Sequence, residues 1–232
     1  MSNNIPVTND FEIRTYKLRR SRVTASQAQA LETLRSKFVL DAGDSKIDLR
    51  SETGRSSWIV EIGFGMGEAT VALAQAQPAI AVLAIDVHTP GVGKLLHQLE
   101  EHNLDSVRVI EGDALHILRG NIADDSLTGV RLFFPDPWPK ARHHKRRFIQ
   151  TENLTLVAQK VQVGGFLHIA TDWENYAEHA LENLAQLPQW EILEPGLGVE
   201  LAQPSERPRT RFEQRGIDAG RKITDIVAVR RF

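Results

Sequence analysis

Trp58-Ile-Val-Glu-Ile-Gly-Phe-Gly-Met-Gly67 decides the fold. Its first five residues are an apolar run with one carboxylate, the pattern of a short buried strand. Glycines at 63, 65 and 67 then break the strand into a tight turn. Glu68 to Gln77 follows as an alanine-rich helix, stopped by Pro78. Strand, glycine turn and helix in that order predict the first unit of a parallel α/β sheet.

Toward the C-terminus the pattern repeats. Ile80–Ile85, Val107–Ile110, Val130–Phe134 and Phe166–Ala170 read as further buried strands. Helical spacing predicts helices over Pro90–His102, Ala114–Arg119, Arg146–Val161 and Trp173–Gln186. Leu95, Leu96 and Leu99 face inward in the first, and Phe148, Leu154, Leu156 and Val157 supply the apolar positions of the third. Gly164-Gly165 ends that third unit, and Trp190–Leu193 and Thr224–Val229 close the sheet. Toward the N-terminus, Asp41–Ser56 is polar and reads as loop. Ser26–Phe38 reads as a helix capped by Ser26, with Ala28, Leu31, Leu34 and Phe38 on one face. Arg14 to Arg22 is a basic arm without a period. Near-continuous apolar strands between helices predict an α/β, Rossmann-like doubly wound, mostly parallel sheet covered on both faces. No repeat or linker is visible. The expected organisation is a basic, partly flexible arm over residues 1–25 and one domain over 26–232.

Composition excludes several classes. The absence of cysteine rules out a disulfide scaffold, cysteine-ligated zinc and thiol catalysis. No apolar run approaches the roughly 20 residues of a membrane span. Met1 to Asp10 lacks the apolar stretch of a signal peptide, so the expected location is cytoplasmic. Net charge is −2, but residues 11–22, 140–147 and 207–231 together carry +14 and the remainder −16. An acidic body with three basic segments predicts a polyanionic partner such as a nucleic acid. No obligate protein partner is expected, and the chain is read as a monomer or homodimer.

In a doubly wound sheet, ligands bind at the carboxyl ends of the strands. Five strands deliver an acid there: Glu61, Asp86, Asp113, Asp136 and Asp172. Single acids after strands usually cap helices, the alternative kept for Asp113 and Asp172. Gly63, Gly65 and Gly67 let backbone approach a ligand. A dinucleotide fingerprint needs glycine at 68, where this chain has Glu68. A carboxylate there opposes a pyrophosphate and favours a zwitterionic, cationic cofactor such as S-adenosylmethionine. Asp86 is placed to take ribose hydroxyls. Pro135-Asp-Pro-Trp-Pro139 is a rigid segment that cannot extend the sheet. Lys140-Ala-Arg-His-His-Lys-Arg-Arg147 sets five positive charges beside Asp136, with Arg146 and Arg147 expected on substrate phosphates. His143 and His144 lack a third ligand at helical spacing, so no metal is expected.

With these residues in view, the chain resembles the bacterial tRNA (guanine-N7)-methyltransferases from about Lys17 onward. The most specific part is Phe134-Pro-Asp-Pro-Trp-Pro-Lys140 followed by His143-His-Lys-Arg-Arg147. Glu61–Gly67, Val87–Gly93, Thr171-Asp-Trp173 and Thr210-Arg-Phe-Glu213 support it. The resemblance implies a class I methyltransferase fold and S-adenosyl-L-methionine bound at Glu61, Asp86, Asp113 and Asp136. It implies substrate contacts at Lys140, Asp172 and Thr210, Arg211, Phe212 and Glu213, with Asp136 catalytic. It also implies methylation of the guanosine at tRNA position 46. Asp86 departs from the family, where many members carry Glu, so its ribose contact requires a closer approach. Three alternatives compete: methylation of an exocyclic base amine, a nicotinamide-dependent oxidoreductase, and a non-catalytic RNA-binding module. Glu68 argues against the second, and the five strand-end acids against the third.

Overall fold

In the computed structural model, which describes residues 13–17, 22–193 and 208–232, Trp58–Ile62 forms the central strand β1. Residues 1–12 and 18–21 of the expected arm lie outside the described residues. Strands β2 (Ala81–Asp86) and β3 (Val107–Glu111) lie to one side of β1. Strands β4 (Leu127–Phe133) and β5 (Val161–Thr171) lie to the other, all parallel. Two further strands, β6 (Trp190–Ile192) and β7 (Thr224–Arg230), complete the sheet, with β7 antiparallel between β5 and β6. The order is β3-β2-β1-β4-β5-β7-β6. Succession runs outward from β1 in one direction and from β4 in the other. The crevice outside their carboxyl ends is therefore the topological switch point.

Nine α-helices are found among the described residues: α1 (Ala25–Thr33), α2 (Arg35–Phe38), α3 (Leu49–Thr53), α4 (Glu68–Ala76), α5 (Thr89–Glu101), α6 (Ala114–Gly120), α7 (Thr151–Lys160), α8 (Glu174–Ala185) and α9 (Arg211–Asp218). Strand alternation sorts the core onto two faces. Val82 and Ala84 pack with Ala30 of α1, Val71 of α4 and Leu95, Leu96 and Leu99 of α5. Val60, Leu83, Val130 and Leu167 pack with Leu118 of α6, Leu154 and Val157 of α7 and Ala177 of α8. The three leucines of α5 are fully buried, as their spacing predicts.

Local differences from the sequence reading have physical causes. The first helix is capped by Thr24, not Ser26, because Thr24 and Gln27 form a reciprocal capping box. It breaks at Leu34 into α1 and α2; Ala28 is exposed, and Ala30 is the buried position of α1. The loop expected over residues 41–56 contains α3, capped by Asp48. The helix expected over Arg146–Val161 begins only at Thr151. Ala141–Arg146 is instead a 3-10 helix, and Arg147 and Gln150 are extended. Gly164-Gly165 lies within β5 rather than before it.

The turn after β1 is wedged against α5. A Cβ built on Gly91 would lie 2.0 Å from the carbonyl oxygen of Gly65, and a backbone atom cannot swing aside. Gly91→Ala should cost about 1–3 kcal/mol, typical of overpacking a tight site. The expected readout is a melting temperature lower by several degrees; an unchanged midpoint would mean that the turn is not wedged.

Candidate active site

A cleft of about 190 Å³ opens at the switch point. It is lined by Glu61 of β1, Gly63 and Gly65 after it, Asp86 at the end of β2, Asp136 after β4, and Thr210, Arg211 and Phe212 at the start of α9. These expected site residues, scattered over 150 positions of sequence, are brought together. Thr15, Tyr16 and Lys17 also line the cleft. Sequence reasoning had treated them only as part of a basic arm.

Asp86 anchors the glycine turn. Its Oδ2 accepts from the Gly65 N–H at 2.8 Å, and its Oδ1 from the His88 N–H at 3.0 Å. Burial pushes its carboxyl above the ordinary value, and those two N–H groups pull it back. Each oxygen has a second lone pair, which leaves acceptor capacity for a ligand hydroxyl. Gly67 does a different job from Gly63 and Gly65. It adopts φ 80° as the residue before α4, and an added Cβ would meet Leu95 Cδ1 at 2.7 Å. It serves the packing of α5 and does not line the cleft.

Glu61 is 2% exposed, and its Oε2 has no hydrogen-bond partner among the described residues. Burial pushes its carboxyl up; the charge of Arg131 and then the Thr70 hydroxyl pull it down, and Asp86 adds a smaller upward push. A buried carboxylate without a donor is costly unless a ligand supplies one. Asp113 is the helix cap that its position allowed: Oδ1 accepts from the Leu115 and His116 N–H groups at 2.8 and 3.4 Å. Gly112 and Ala114 on either side of it line the cleft.

The Asp136 segment is held under backbone strain. Phe134 and Trp138, both bulky, sit at φ 50° and 46°, where large side chains are rare. Three bonds secure this conformation. Phe134 N–H donates to the Ala170 carbonyl at 2.7 Å, Trp138 Nε1 to the Thr15 carbonyl at 3.3 Å, and Arg147 Nε to the Pro137 carbonyl at 3.0 Å. Trp138 is buried. Asp136 Oδ2 accepts from the Lys17 N–H at 2.9 Å, with Lys17 Nζ 3.9 Å from Oδ1.

The basic segments divide. Lys140 and Arg146 are exposed, and Lys17 and Arg146 sit over the Trp138 ring at 4.9 and 5.1 Å. Arg211 lines the cleft and pairs with Glu68 at 2.9 Å, which explains the acid at position 68. Arg147, expected on substrate phosphates, is 2% exposed and points inward. Its Nη1 and Nη2 donate to the Asn175 backbone and side-chain oxygens at 3.2 and 2.7 Å. Arg230 and Arg231 pair with Asp125 and Glu191, away from the cleft-lining residues. Asp172 and Glu213 do not line the cleft. Asp172 pairs with Arg221 at 2.8 Å and packs on Gly216 of α9, and the Glu213 N–H donates to the Thr210 hydroxyl that caps that helix. Among the described residues no group of three or more metal-ligating side chains occurs, and no helix is long and apolar enough to cross a membrane.

Known proteins share this sequence and fold. Residues 55–226 match the family model described as "Putative methyltransferase". The tRNA (guanine-N(7)-)-methyltransferase of Streptomyces avermitilis is 48% identical over 225 residues, covering 96% of this chain and 77% of that protein. Its namesake from Nitrosospira multiformis is 45% identical over 216 residues, covering 93% of each. The crystal structure of the antibiotic-resistance methyltransferase Kmr superposes with a TM-score of 0.55 at 13% identity, over 80% of this chain and 92% of that one. The [4+2]-cyclase SpnF superposes at 0.53 and 14%, over 90% and 97%. A shared fold therefore does not fix the reaction.

The buried placement of Arg147 separates it from its neighbour. Arg147→Met strands acceptors on Pro137 and Asn175 and should cost about 1.5–3 kcal/mol, the range for hydrogen bonds to a charged group. Arg146→Met should leave the midpoint within about 2 °C, as for surface changes. Thermal denaturation of both variants checks this; equal, small effects would return Arg147 to the surface.

Proposed function

The chain belongs to the tRNA (guanine-N(7)-)-methyltransferase family, and from that premise we propose that it methylates N7 of the guanine at position 46 of tRNA from S-adenosylmethionine. The observation that carries this reading is the charge layout of the cleft. Glu61, Asp86 and Asp136 line its floor, and Lys17 and Arg211 line it from the arm and α9. An acidic floor suits a sulfonium cofactor, and a basic rim suits an RNA backbone. A tRNA substrate also supports the cytoplasmic location expected from the sequence.

The residues present fit the cofactor. Glu61 offers a buried oxygen in need of a donor, which an ammonium supplies. Gly63 and Gly65 present backbone without a side chain, and Asp86 has lone pairs for ribose hydroxyls. When bound, S-adenosylmethionine supplies a methyl on cationic sulfur, whose bonding electrons return to sulfur as the N7 lone pair takes the methyl. Guanine N7 bears no proton, so no side chain has to act as a general base. The protein's work is alignment, which can supply up to about 7–11 kcal/mol in well-oriented cases.

Methylation leaves the purine cationic and its N1–H more acidic. A carboxylate on the N1–H and amino edge therefore binds the transition state more strongly than the ground state. Asp136 is that group, and Asp172, held by Arg221, steadies α9 and the base edge behind it. Lys17 currently presents to Asp136 the kind of N–H donor that a guanine edge would present. The guanine therefore enters in competition with the arm. Lys140, Arg146 and Arg211 face the incoming RNA. Thr210 sets the start of α9, and Phe212 closes over Gly65, whose added Cβ would lie 3.7 Å from its ring.

In single-turnover assays with saturating tRNA, Asp136→Asn should lower the rate about 10²–10³-fold, with cofactor and tRNA affinity little changed. The wild-type rate should be flat from about pH 6.5 to 8.5, because no proton leaves in the step. A transcript with adenine at position 46 should accept no methyl. A normal rate with poor tRNA binding in Asp136→Asn would reduce Asp136 to a guanine-positioning role. Full methylation of the altered transcript would move the target.

A further inference from the structure

Arg131 stands in the middle of β4 with 3% exposure, yet no carboxylate lies within 4.0 Å of it among the described residues. Its one hydrogen-bonded side chain is Gln77, whose Oε1 accepts from Nη2 at 2.9 Å. A buried guanidinium with so little direct compensation is expensive and calls for a reason. The sheet register supplies one. Arg131 has two Cα partners in neighbouring strands, Glu61 of β1 and His168 of β5. All three side chains fall on the face that carries Ile59 and Phe166. His168 is bonded to Asp225 of β7 at 2.8 Å, so Glu61 is the one acid among the register partners of Arg131. Arg131 does not line the cleft, whereas Glu61 does.

We propose that Arg131 is a positioning residue for the methyl donor: from its in-register place beside Glu61 it is the buried positive charge that readies that carboxylate for the cofactor's ammonium. The proposal rests on the reading of Glu61 as the ammonium contact. The groups that act on Glu61 are few. β4 offers Arg131, α4 the Thr70 hydroxyl, and β2 the Asp86 carboxylate, while Lys17 lines the same cleft from the arm. Burial and Asp86 both favour a neutral Glu61, and Arg131 is the leading opposing influence. Without it Glu61 would hold its proton to higher pH than in the wild type and would have to release it to bind a cation. Cofactor binding would then weaken as pH falls.

The test is calorimetric titration of wild type, Arg131→Met, Arg131→Lys and Glu61→Gln with S-adenosylmethionine from about pH 5.5 to 7.5, below the usual α-amino range. Wild type and Arg131→Lys should hold their affinity to lower pH than Arg131→Met. Arg131→Met should bind at least about tenfold more weakly at the acid end, recover toward the neutral end, and release about one proton per cofactor bound. Glu61→Gln should bind weakly throughout. A loss in Arg131→Met that is the same at every pH, with no proton release, would mean a merely structural role and would overturn the proposal alone. Undiminished affinity in Glu61→Gln would instead overturn the reading of Glu61. Should Arg131→Met not fold, infrared difference spectra of wild type against Glu61→Gln decide. The proposal requires no protonated-carboxyl band from Glu61 at neutral pH, and such a band would contradict it.

Discussion

The bond from the Gly65 amide to the Asp86 carboxylate fixes the part of the molecule on which the rest depends. It joins the turn after β1 to the end of β2, so two walls of the cleft cannot move apart independently. Gly91 of α5 presses on the carbonyl of the same residue, and Phe212 of α9 approaches it from the other side. One short turn thus sets the position of the sheet edge, the helix behind it and the substrate-side helix above it. The short Asp86 side chain holds its carboxylate on the turn.

Charge is arranged in layers around that turn. The floor of the cleft is acidic, which favours a cationic sulfur and the cationic purine formed from it. The rim is basic, which favours a phosphate backbone. Between them Asp136 sits on a strained, proline-fixed segment, bonded to Lys17 of the arm. Strain at this point is maintained by buried Arg147 and Trp138, so two residues of the most specific motif hold the loop in place. Deeper in the sheet, Arg131 gives the acidic floor its counter-charge without entering the cleft.

Much of this was legible in the sequence because parallel strands are apolar along most of their length, so acids at or near their carboxyl ends stand out. Glu61, Asp86 and Asp136 stand out in that way, and the fold brings them to one cleft. The reading failed where a tertiary contact overrides local pattern. Arg147 sits in a run of cations that reads as one solvated face, but it bonds Asn175 on α8 and turns inward, and Arg147 and Gln150 are extended rather than helical. Thr15 to Lys17 carry no periodic signal, since their place is set by single bonds to Trp138 and Asp136. Arg131 was hidden inside an apolar strand, where one charge looks like an exception rather than the partner of Glu61 across the sheet.

The central claim is that this cleft joins a sulfonium methyl to one particular nitrogen of tRNA. The most direct measurement is to incubate unmodified tRNA with the protein and methyl-labelled S-adenosylmethionine, digest it to nucleosides, and identify the labelled product by mass spectrometry. The account predicts a single labelled species, 7-methylguanosine. Label in a nucleoside methylated on an exocyclic amine, or no label with the cofactor demonstrably bound, would contradict it.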